Sequence, residues 1–457
     1  MIRSSTFSAR ARARTRASAR RKRGASRGVA ARASADVVRV AVVGGGFAGV
    51  AAAFRTLEEA NARGRAVELT LIDARGVGGG ASGVAAGLLH PYTPRGRTIW
   101  RGEEGAARAR RLLDAAARAE DAMDAMTVER CDDADGGWRD DAGRNTGERR
   151  GERVASAPGI VRPARSAKQG RDFAANARRG DDDDDDASFA VKCVTTDEVL
   201  AMCPGLEFTS DVVEAERRGE ACAGGMFVPN GVVVDAPRYL TALWDACAIL
   251  ASRGAAGTRA TLRIAEVDDV KALLDEFDQV ALCCGAGVAA LFDFETIPVS
   301  LQGGHVLELK PEGLRVGILG TTYVAPLGDA RAMIGPTKEY DATPEDCARS
   351  GVVDDVDDER SARAISELRE LGARAYPPCA NWEFLRLKYG VRANPPRTPA
   401  GALPLAGSVD VDGRRCWFAA GLGARGLIYH GLLADWLSSA ILDDDINAIP
   451  VDVRRTC

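Results

Sequence analysis

Residues 37–73 read VVRVAVVGGGFAGVAAAFRTLEEANARGRAVELTLID, and this stretch decides the fold. The β-branched run at 37–43 predicts a strand, the glycine turn at 44–49 follows it, and the Ala-rich segment at 50–61 predicts a helix. A second apolar run then ends at Asp73, whose carboxylate can accept hydrogen bonds from a ribose. The order of strand, glycine turn, helix, strand and acid is typical of a dinucleotide-binding unit.

The glycines of the turn predict contacts with a nucleotide cofactor. Gly44 permits the sharp turn, Gly46 lets the backbone approach a pyrophosphate, and Gly49 lets the helix lie close to the strand. The phosphates would then face the free N–H groups at the start of the helix, near Phe47 and Ala48. The alternative is a glycine turn that binds nothing.

The first 35 residues differ from the rest of the chain. They contain ten Arg, one Lys, many Ser and Ala, and no acidic residue. This composition is typical of an organelle transit peptide, and VAARASA before Asp36 favours a chloroplast over a mitochondrion. A basic arm that binds nucleic acid is the alternative.

Composition and charge narrow the function classes. The whole chain has a net charge of −4 and the leader carries +11, so residues 36–457 are close to −15. A body this acidic has no general attraction for phosphate backbones, which favours a small-molecule substrate over nucleic acid. No apolar run approaches the roughly 20 residues of a membrane span. The scattered cysteines predict reduced thiols rather than a zinc or disulfide framework, and three histidines make a His-based metal site unexpected.

Small residues continue after Asp73, where 76–87 reads GVGGGASGVAAG. They let the backbone approach a flat or charged group, and the Ser82 hydroxyl can donate to a phosphate. A flexible glycine loop is the alternative. With the 44–49 fingerprint, the GASG…AG pattern resembles the D-amino-acid oxidase (DAO) superfamily of FAD-dependent oxidoreductases, which includes glycine and sarcosine oxidases. The resemblance implies FAD as the cofactor, with Ala81, Ser82 and Gly87 among its contacts.

Two later glycine turns match further cofactor contacts of that family. The run at 277–284 ends at Gly285 and resembles the second nucleotide-contacting strand, although an ordinary buried strand is the alternative. The turn GLGARG at 421–426 precedes a predicted helix, whose N-terminus would stabilise negative charge on a flavin ring. The resemblance implies cofactor contacts at Gly421, Gly423, Arg425, Gly426 and Leu427.

Three residues are candidates for the substrate side of the site. The segment GVRANPPRTPAG at 390–401 resembles a family motif whose arginine meets the substrate carboxylate, and Arg392 is the better match. Arg397 and a plain surface arginine remain alternatives. Tyr323, like His305, falls in a strand that borders the cavity in the family, and its side chain could point to either face. His90, before Pro91, could lie near the flavin or only pack.

The chain departs from the family pattern at two positions. Leu327 stands where an arginine often follows the proline, and Ala400 stands where an aspartate is usual. The first departure removes an expected anchor for the substrate. Both leave the substrate class open.

The predicted fold class is α/β, with a discontinuous Rossmann-like FAD-binding domain and a second, mixed-sheet α+β substrate domain. Two polar segments, at about 131–158 and 166–188, are predicted to be solvated insertions, because their composition cannot bury enough apolar surface to order them. Asp235 is predicted to cap a helix that returns the chain to the FAD domain. The predicted divisions are a transit peptide at 1–35, FAD-binding parts at 36–110, 235–296 and 400–457, and substrate-domain parts at 111–234 and 297–399.

The resemblance implies oxidation of the C–N bond of a small amine or amino acid, with electrons passing from the flavin to oxygen or another acceptor. Two alternatives stay open. GASGVAAGLLHPYTP and GLGARGL look most like the oxidase domain of the bacterial bifunctional tRNA wobble-uridine enzyme, which would make tRNA the substrate. The departures from the family pattern would also suit a flavin-bound assembly factor without turnover.

Overall fold

The strand–helix–strand unit expected from residues 37–73 is present in the computed structural model, which describes residues 37–131, 154–156, 158–177, 190–328 and 330–457. Strands β1 (Val38–Val43) and β2 (Val67–Asp73) flank helix α1 (Phe47–Ala62). The two strands pair in parallel along their length, so the helix must cross over between them. Apolar side chains cover both faces of β1, as expected for a central parallel strand.

This unit belongs to a seven-stranded sheet in the described part of the chain. Its spatial order is β21 (Arg454–Thr456), β19 (Leu405–Val411), β20 (Arg414–Ala420), β10 (Gln279–Leu282), β1, β2 and β9 (Arg259–Ile264). Strands β20, β10, β1, β2 and β9 run parallel, and β19 is antiparallel to β20. The three chain segments that build this sheet are far apart in sequence. The lobe built on this sheet, which we call the FAD lobe, is therefore discontinuous.

A second sheet is mixed. Its nine strands follow the order β15 (Gly351–Val352), β16 (Glu383–Asn394), β11 (Ser300–Lys310), β14 (Arg331–Gly335), β13 (Tyr323–Leu327), β12 (Gly317–Leu319), β5 (Ile160–Pro163), β7 (Gly225–Val228) and β6 (Lys192–Val194). Strands β12 and β5 are parallel, whereas the other neighbours are antiparallel. The predicted mixed sheet is confirmed.

Two smaller ladders and nine further helices complete the described chain. The ladders are β3 (Leu88–Leu89), β8 (Val232–Val234) and β4 (Ala155–Ser156), and β17 (Arg397–Thr398) with β18 (Gly401–Ala402). The helices are α2 (Gly102–Cys131), α3 (Ala167–Ala177), α4 (Thr196–Met202), α5 (Ser210–Arg217), α6 (Ala236–Ser252), α7 (Val270–Glu276), α8 (Val288–Leu291), α9 (Glu359–Ala375) and α10 (Gly426–Asp443). The predicted cap of α6 is confirmed, because the Asp235 side chain accepts from Arg238 N at 3.4 Å.

The nine-stranded sheet presents different faces to its surroundings. Val306, Ala325 and Met333 share one face and pack against Val84 and Val233, which belong to the loop after β2 and to β8. The opposite face packs beneath α9 in a separate apolar cluster. The first face is therefore directed toward the FAD lobe, and we call it the inner face.

The structure differs from the sequence predictions at two places. Residues 167–177, expected within a solvated insertion, form helix α3, because Phe173 is buried in the main core and Ala167 and Gly170 are buried too. The end of the other predicted insertion, 131–158, also differs, since Val154 is buried and β4 pairs with β8. Residues 132–153, 157 and 178–188 of the two predicted insertions lie outside the described residues.

The prediction of reduced thiols throughout is wrong for two cysteines. Cys193, on β6, and Cys222, just before β7, form a disulfide across neighbouring strands, with 4.4 Å between their Cα atoms. The pairing depends on the antiparallel contact of β6 with β7, which residue spacing does not reveal. Free thiols are found at Cys203, Cys247, Cys283, Cys284, Cys347, Cys379, Cys416 and Cys457.

Residues 36–457 form one compact unit. Within the described segments, no helix combines the length and the apolar character needed to cross a membrane.

Candidate functional site

The glycine turn after β1 has a geometry that only glycine allows. Gly44 has φ +110°, and a Cβ there would lie 2.4 Å from the Cys283 carbonyl oxygen. A Cβ at Gly49 would lie 1.8 Å from the Gly44 carbonyl oxygen, so α1 presses directly on the turn. The close contact between α1 and β1 predicted from Gly49 is therefore present, and it aims the start of α1 at the carboxyl end of the parallel strands.

The N-terminus of α1 is buried and has no side-chain cap. Val50 is the first residue of the helix whose N–H finds a backbone partner, the Gly46 oxygen at 3.0 Å. Phe47 N donates to the Ser82 hydroxyl at 3.0 Å, and the described residues supply no acceptor to the N–H groups of Ala48 and Gly49. Such buried donors at the positive end of a helix fit a phosphate. A Cβ at Gly46 would approach the Ser82 hydroxyl to 2.8 Å and crowd this space.

Asp73 holds the end of β2 against the glycine turn. One carboxylate oxygen accepts from Gly45 N at 2.7 Å, and the other accepts from Arg75 N at 2.8 Å. Its side chain remains partly exposed at the tip of the strand. A carboxylate next to the phosphate-binding turn fits the role of a ribose acceptor.

The loop after β2 joins the two sheets. A short 3-10 turn, Ala81–Val84, packs on β16, where a Cβ at Gly390 would lie 3.2 Å from the Ala81 Cα. Gly87 has φ +72°, and a Cβ there would lie 1.8 Å from the Val234 oxygen. The loop that carries Ser82 is thus fixed between α1 and the inner face.

A second uncapped helix start lies beside the first. Helix α10 begins at Gly426, where a Cβ would be 3.1 Å from a ring carbon of Phe47, and Leu427 is buried. The turn before it needs positive φ at Gly421 (+67°) and Gly423 (+53°). Its Arg425 donates to the Ala402 oxygen at 3.3 Å and so holds the turn in place rather than pointing away.

Gly285, the last of the predicted cofactor contacts, lies in the turn after β10 with φ +56° and open space where a Cβ would be. Strand β10 is the parallel neighbour of β1, so this turn lies at the same sheet edge as the glycine fingerprint. The uncapped helix starts, the acid and the converging glycine turns fit FAD. Backbone N–H groups supply most of that fit.

On the substrate side, the structure brings Tyr323 and Arg392 close enough to affect each other's ionisation. Alternation along β13 and β16 places both on the inner face. Burial raises the pKa of Tyr323, and the positive charge of Arg392 partly opposes that rise. Burial lowers the pKa of the Arg392 guanidinium. A protonated phenol beside a guanidinium offers donors to an anionic group. Arg397, the open alternative, is exposed on β17.

His305 points the other way. Its Nδ1 lies 2.7 Å from a carboxylate oxygen of Glu339, and its ring contacts Tyr389 with 4.8 Å between centroids. Its neighbour Val306 packs on the inner face, so the alternation of β11 turns His305 outward. It is not part of the candidate site.

His90 lies just after β3, within the electrostatic influence of Arg162 on β5. Its Nδ1 accepts from Tyr92 N at 3.2 Å. Burial, together with the positive charge of Arg162, lowers the pKa of His90 to about 3. The imidazole is therefore neutral near pH 7, and its remaining ring nitrogen carries the proton as a donor.

Sequence reasoning missed the charged residues of the inner face. Arg162 is 7% exposed on β5, and Glu308 is fully buried on β11. Glu308 forms ion pairs with Lys388 (2.9 Å), Arg386 (3.3 Å) and Arg331 (3.4 Å). A charged residue inside an apolar strand was the available signal, because such residues are almost never buried without a partner.

Arg331 lies opposite Leu327, the position at which the family often has an arginine, but it does not replace that arginine as a free cation. The two residues are paired across the β13–β14 hairpin. Arg331 lies 2.5 Å from an Asp235 oxygen and also pairs with Glu308, so its charge is already balanced within the protein.

Comparison with known proteins agrees with this site. The family of FAD dependent oxidoreductases, DAO, matches residues 39–440. Two curated relatives are named tRNA 5-methylaminomethyl-2-thiouridine biosynthesis bifunctional protein MnmC. The one from Thiobacillus denitrificans is 32% identical over 37% of this chain and 26% of its own length, and the one from a Caulobacter species is 31% identical over 52% and 37%. The matched segments thus span between about a quarter and two fifths of the length of these relatives.

Solved structures share the fold. Glycine oxidase from Geobacillus kaustophilus superposes with a TM-score of 0.60 at 21% identity, covering 90% of this chain and 96% of the other. Iminodiacetate oxidase from Chelativorans sp. BNC1 gives 0.59 at 18% identity, covering 92% and 99%. With a family match over nearly all of the described chain and a site that fits the cofactor, the protein belongs to the DAO family and is an FAD-dependent oxidoreductase.

Proposed function

We propose that the protein oxidises the C–N bond of a small amine or amino acid that carries a carboxylate. The position of Arg392 carries the proposal. Its guanidinium is half-buried on the inner face, on the same strand as Gly390, which packs against the FAD-binding loop at Ala81. A planar guanidinium binds a carboxylate through two parallel hydrogen bonds, and such a fork would fix the amine carbon toward the cofactor lobe.

FAD, when bound, accepts the two electrons that leave the substrate. Loss of two electrons and two protons converts the C–N single bond into an imine, and water then splits the imine into a carbonyl compound and a free amine. The chain's residues orient the substrate for this step. Arg392 donates to the carboxylate, Tyr323 adds a phenolic donor, and neutral His90 adds an N–H donor at the β5 end of the inner face. Oxygen or another acceptor would take the electrons onward.

The amine assignment is tested on the full chain loaded with FAD. Glycine, sarcosine, D-amino acids and iminodiacetate are added one at a time without oxygen, and the visible absorbance of the flavin is followed. Bleaching by at least one carboxylate-bearing amine, and not by the corresponding amine without a carboxylate, is the expected result. A flavin that none of these compounds bleaches contradicts the proposal.

The anchor is tested with a matched pair of variants from the same segment. Arg392→Gln should lower kcat/KM roughly 10- to 100-fold, the worth of a charge-assisted hydrogen bond. Arg397→Gln removes an exposed arginine five residues away and should change it less than about twofold. Equal losses in the two variants would refute the assignment of Arg392.

A tRNA substrate is the second candidate, and the curated relatives support it because both are tRNA-modifying proteins by name. The acidic charge of residues 36–457 opposes it. Bleaching of the flavin by carboxymethylaminomethyl-modified tRNA, with none by free amines, would favour this candidate. Membership in an oxidoreductase family supports turnover over the non-catalytic assembly role.

The composition of residues 1–35 supports import into the chloroplast, with the mitochondrion as the alternative. A fluorescent protein fused after residue 35 should accumulate in plastids. Fluorescence that stays in the cytosol would contradict this assignment.

A further inference from the structure

The alternation of β5 fixes the direction in which the Arg162 side chain points. On β5, Ile160 and Arg162 share one face of the strand, two residues apart. A Cβ built on Gly317 would lie 3.3 Å from the Ile160 side chain and 2.8 Å from the Leu88 side chain. Both side chains therefore reach the space above Gly317. The same face, one step further along both segments, carries Arg162 and His90, and the positive charge of Arg162 contributes to the lowered pKa of His90. Arg162 therefore points from the inner face toward the segment that follows β3.

The described residues give this cation no counter-ion. The Arg162 side chain forms no ion pair with any described residue, its Nε is buried without a hydrogen-bond partner, and the whole residue is 7% exposed. Burial lowers its pKa to about 10, so it stays charged at neutral pH. Burying an unpaired charge destabilises a fold. By contrast, Glu308 on the same face is surrounded by three cations.

His90 cannot balance that charge, because an imidazole is neutral or positive. Its Nδ1 is already an acceptor for Tyr92 N, which leaves an N–H donor on the other ring nitrogen. Arg162 and His90 together offer donors and positive charge without an acceptor. This combination selects an anion.

The ladder register relates this pair to Arg392. Gly317 pairs with Ile160, Leu319 pairs with Tyr323, and Gln302 pairs with Arg392, so alternation places Arg162, Tyr323 and Arg392 on one face of the sheet. Tyr323 lies on a strand between the two arginines in the sheet order. Apart from the three cations around Glu308, the inner face thus has two separated cationic positions with a phenolic donor between them.

We propose that Arg162, with His90, binds a second carboxylate of the substrate, so that the preferred substrate is an amine flanked by two carboxylates. This inference rests on the proposed function for the role of Arg392. A substrate of this class would neutralise Arg162 on binding and would place its nitrogen between the two anchors.

The test measures binding with two probes that cannot be oxidised at a C–N bond, because sulfur replaces the nitrogen. Thiodiacetate carries two carboxylates and (methylthio)acetate carries one. The FAD-loaded full chain is titrated with each, and the perturbation of the flavin visible spectrum reports binding. The wild type should bind thiodiacetate roughly tenfold or more tightly, the worth of one further charge-assisted hydrogen bond. Equal affinities would overturn the proposal.

Variants assign the preference to Arg162. Arg162→Gln should abolish the preference for thiodiacetate and leave (methylthio)acetate binding within about threefold, while Arg162→Lys should restore part of the preference. Arg392→Gln should weaken both probes. A preference that persists in Arg162→Gln would overturn the proposal.

A stability measurement separates binding from a structural role. Arg162→Met keeps the length of the side chain and removes an unpaired buried charge, so the ligand-free variant should retain its flavin and unfold at the same or a higher temperature. A lower unfolding temperature together with weaker binding of both probes would show a structural arginine and overturn the proposal.

The two proposals fail in different ways. Amines that bleach the flavin with no advantage for two carboxylates would refute the second subsite alone. An Arg162-dependent preference for thiodiacetate, in a protein whose flavin no amine reduces, would support the subsite and refute the amine oxidation.

Discussion

The two large sheets bury different kinds of polar residue. In the described strands of the seven-stranded sheet, the buried polar side chains are uncharged, at Thr70 and Ser408. The strands of the nine-stranded sheet bury His305 and three charged residues, Arg162, Glu308 and Lys388. The first sheet carries the FAD site and the second the proposed substrate site, so we attribute the difference to how each lobe would bind its ligand.

The seven-stranded sheet offers backbone N–H groups to its ligand. Its glycine turns and uncapped helix starts need small residues and close packing, and no buried charge. The nine-stranded sheet presents side chains, and each buried charge there must be balanced by a neighbour or by a ligand. The FAD lobe should therefore be sensitive to volume, and the substrate lobe to charge.

The largest expected effect comes from adding volume to the backbone site. Gly49→Val would place a Cβ 1.8 Å from the Gly44 oxygen, and backbone cannot yield as a side chain can. The start of α1 would have to move away from β1 and take its N–H donors with it. We expect a protein that carries no flavin after purification in the presence of FAD, measured by the ratio of visible to ultraviolet absorbance.

The matched control is Gly80→Ala in the neighbouring loop. Gly80 has φ −100°, and a Cβ there would have nothing within 4 Å. This variant should keep full flavin content. A flavin-free Gly80→Ala protein would show that the whole region tolerates no change, and the contrast between volume and charge would then fail.

This contrast also explains what the sequence could predict. The fingerprint, Asp73 and the Ser82 loop lie within 50 residues of one another, and local chemistry fixes their shape, so the cofactor and the first lobe could be predicted. The ionic partners around Glu308 come from three strands and are separated by up to 80 residues, as Glu308 and Lys388 are. Only the strand register brings them together. The disulfide and the buried face of α3 depend on register and packing in the same way.

A smaller effect is expected from removing the central charge of the inner face. Glu308→Gln leaves Lys388, which is 7% exposed, without its anionic partner. Breaking a buried pair from one side should lower the free energy of unfolding by about 3–5 kcal/mol, measured by urea denaturation. FAD content at low urea should change little.

Another glutamate on an adjacent strand provides the control. Glu383 on β16 pairs with Lys310 at 3.5 Å, and the two side chains are 66% and 60% exposed. Glu383→Gln should lower the free energy of unfolding by less than about 1 kcal/mol. If the two glutamine variants lose the same amount, burial does not govern the ion pairs of this sheet.

The smallest effect concerns the outer face of the same sheet and depends on pH. Burial alone would raise the pKa of Glu339, but hydrogen bonds from His305 and Arg360 outweigh it and hold the pKa at about 2. Asp346 and Tyr389 also face this cluster through Arg360. Because the unfolded carboxyl has a pKa of about 4.3, it takes up a proton before the folded one does as the pH falls.

The ionised Glu339 therefore contributes stability above the unfolded pKa, and the contribution is lost as the pH falls toward 2. Between pH 6 and pH 4 the loss should be roughly 0.7 kcal/mol, because only the start of the titration is crossed. Urea denaturation at both pH values should show that Glu339→Gln loses less stability than the wild type by about this amount. Arg360→Gln keeps the carboxyl but removes one donor, so its loss should be smaller than that of the wild type. An unchanged pH dependence in both variants would mean that folding does not lower the pKa of Glu339, and that only the inner face couples charge to stability.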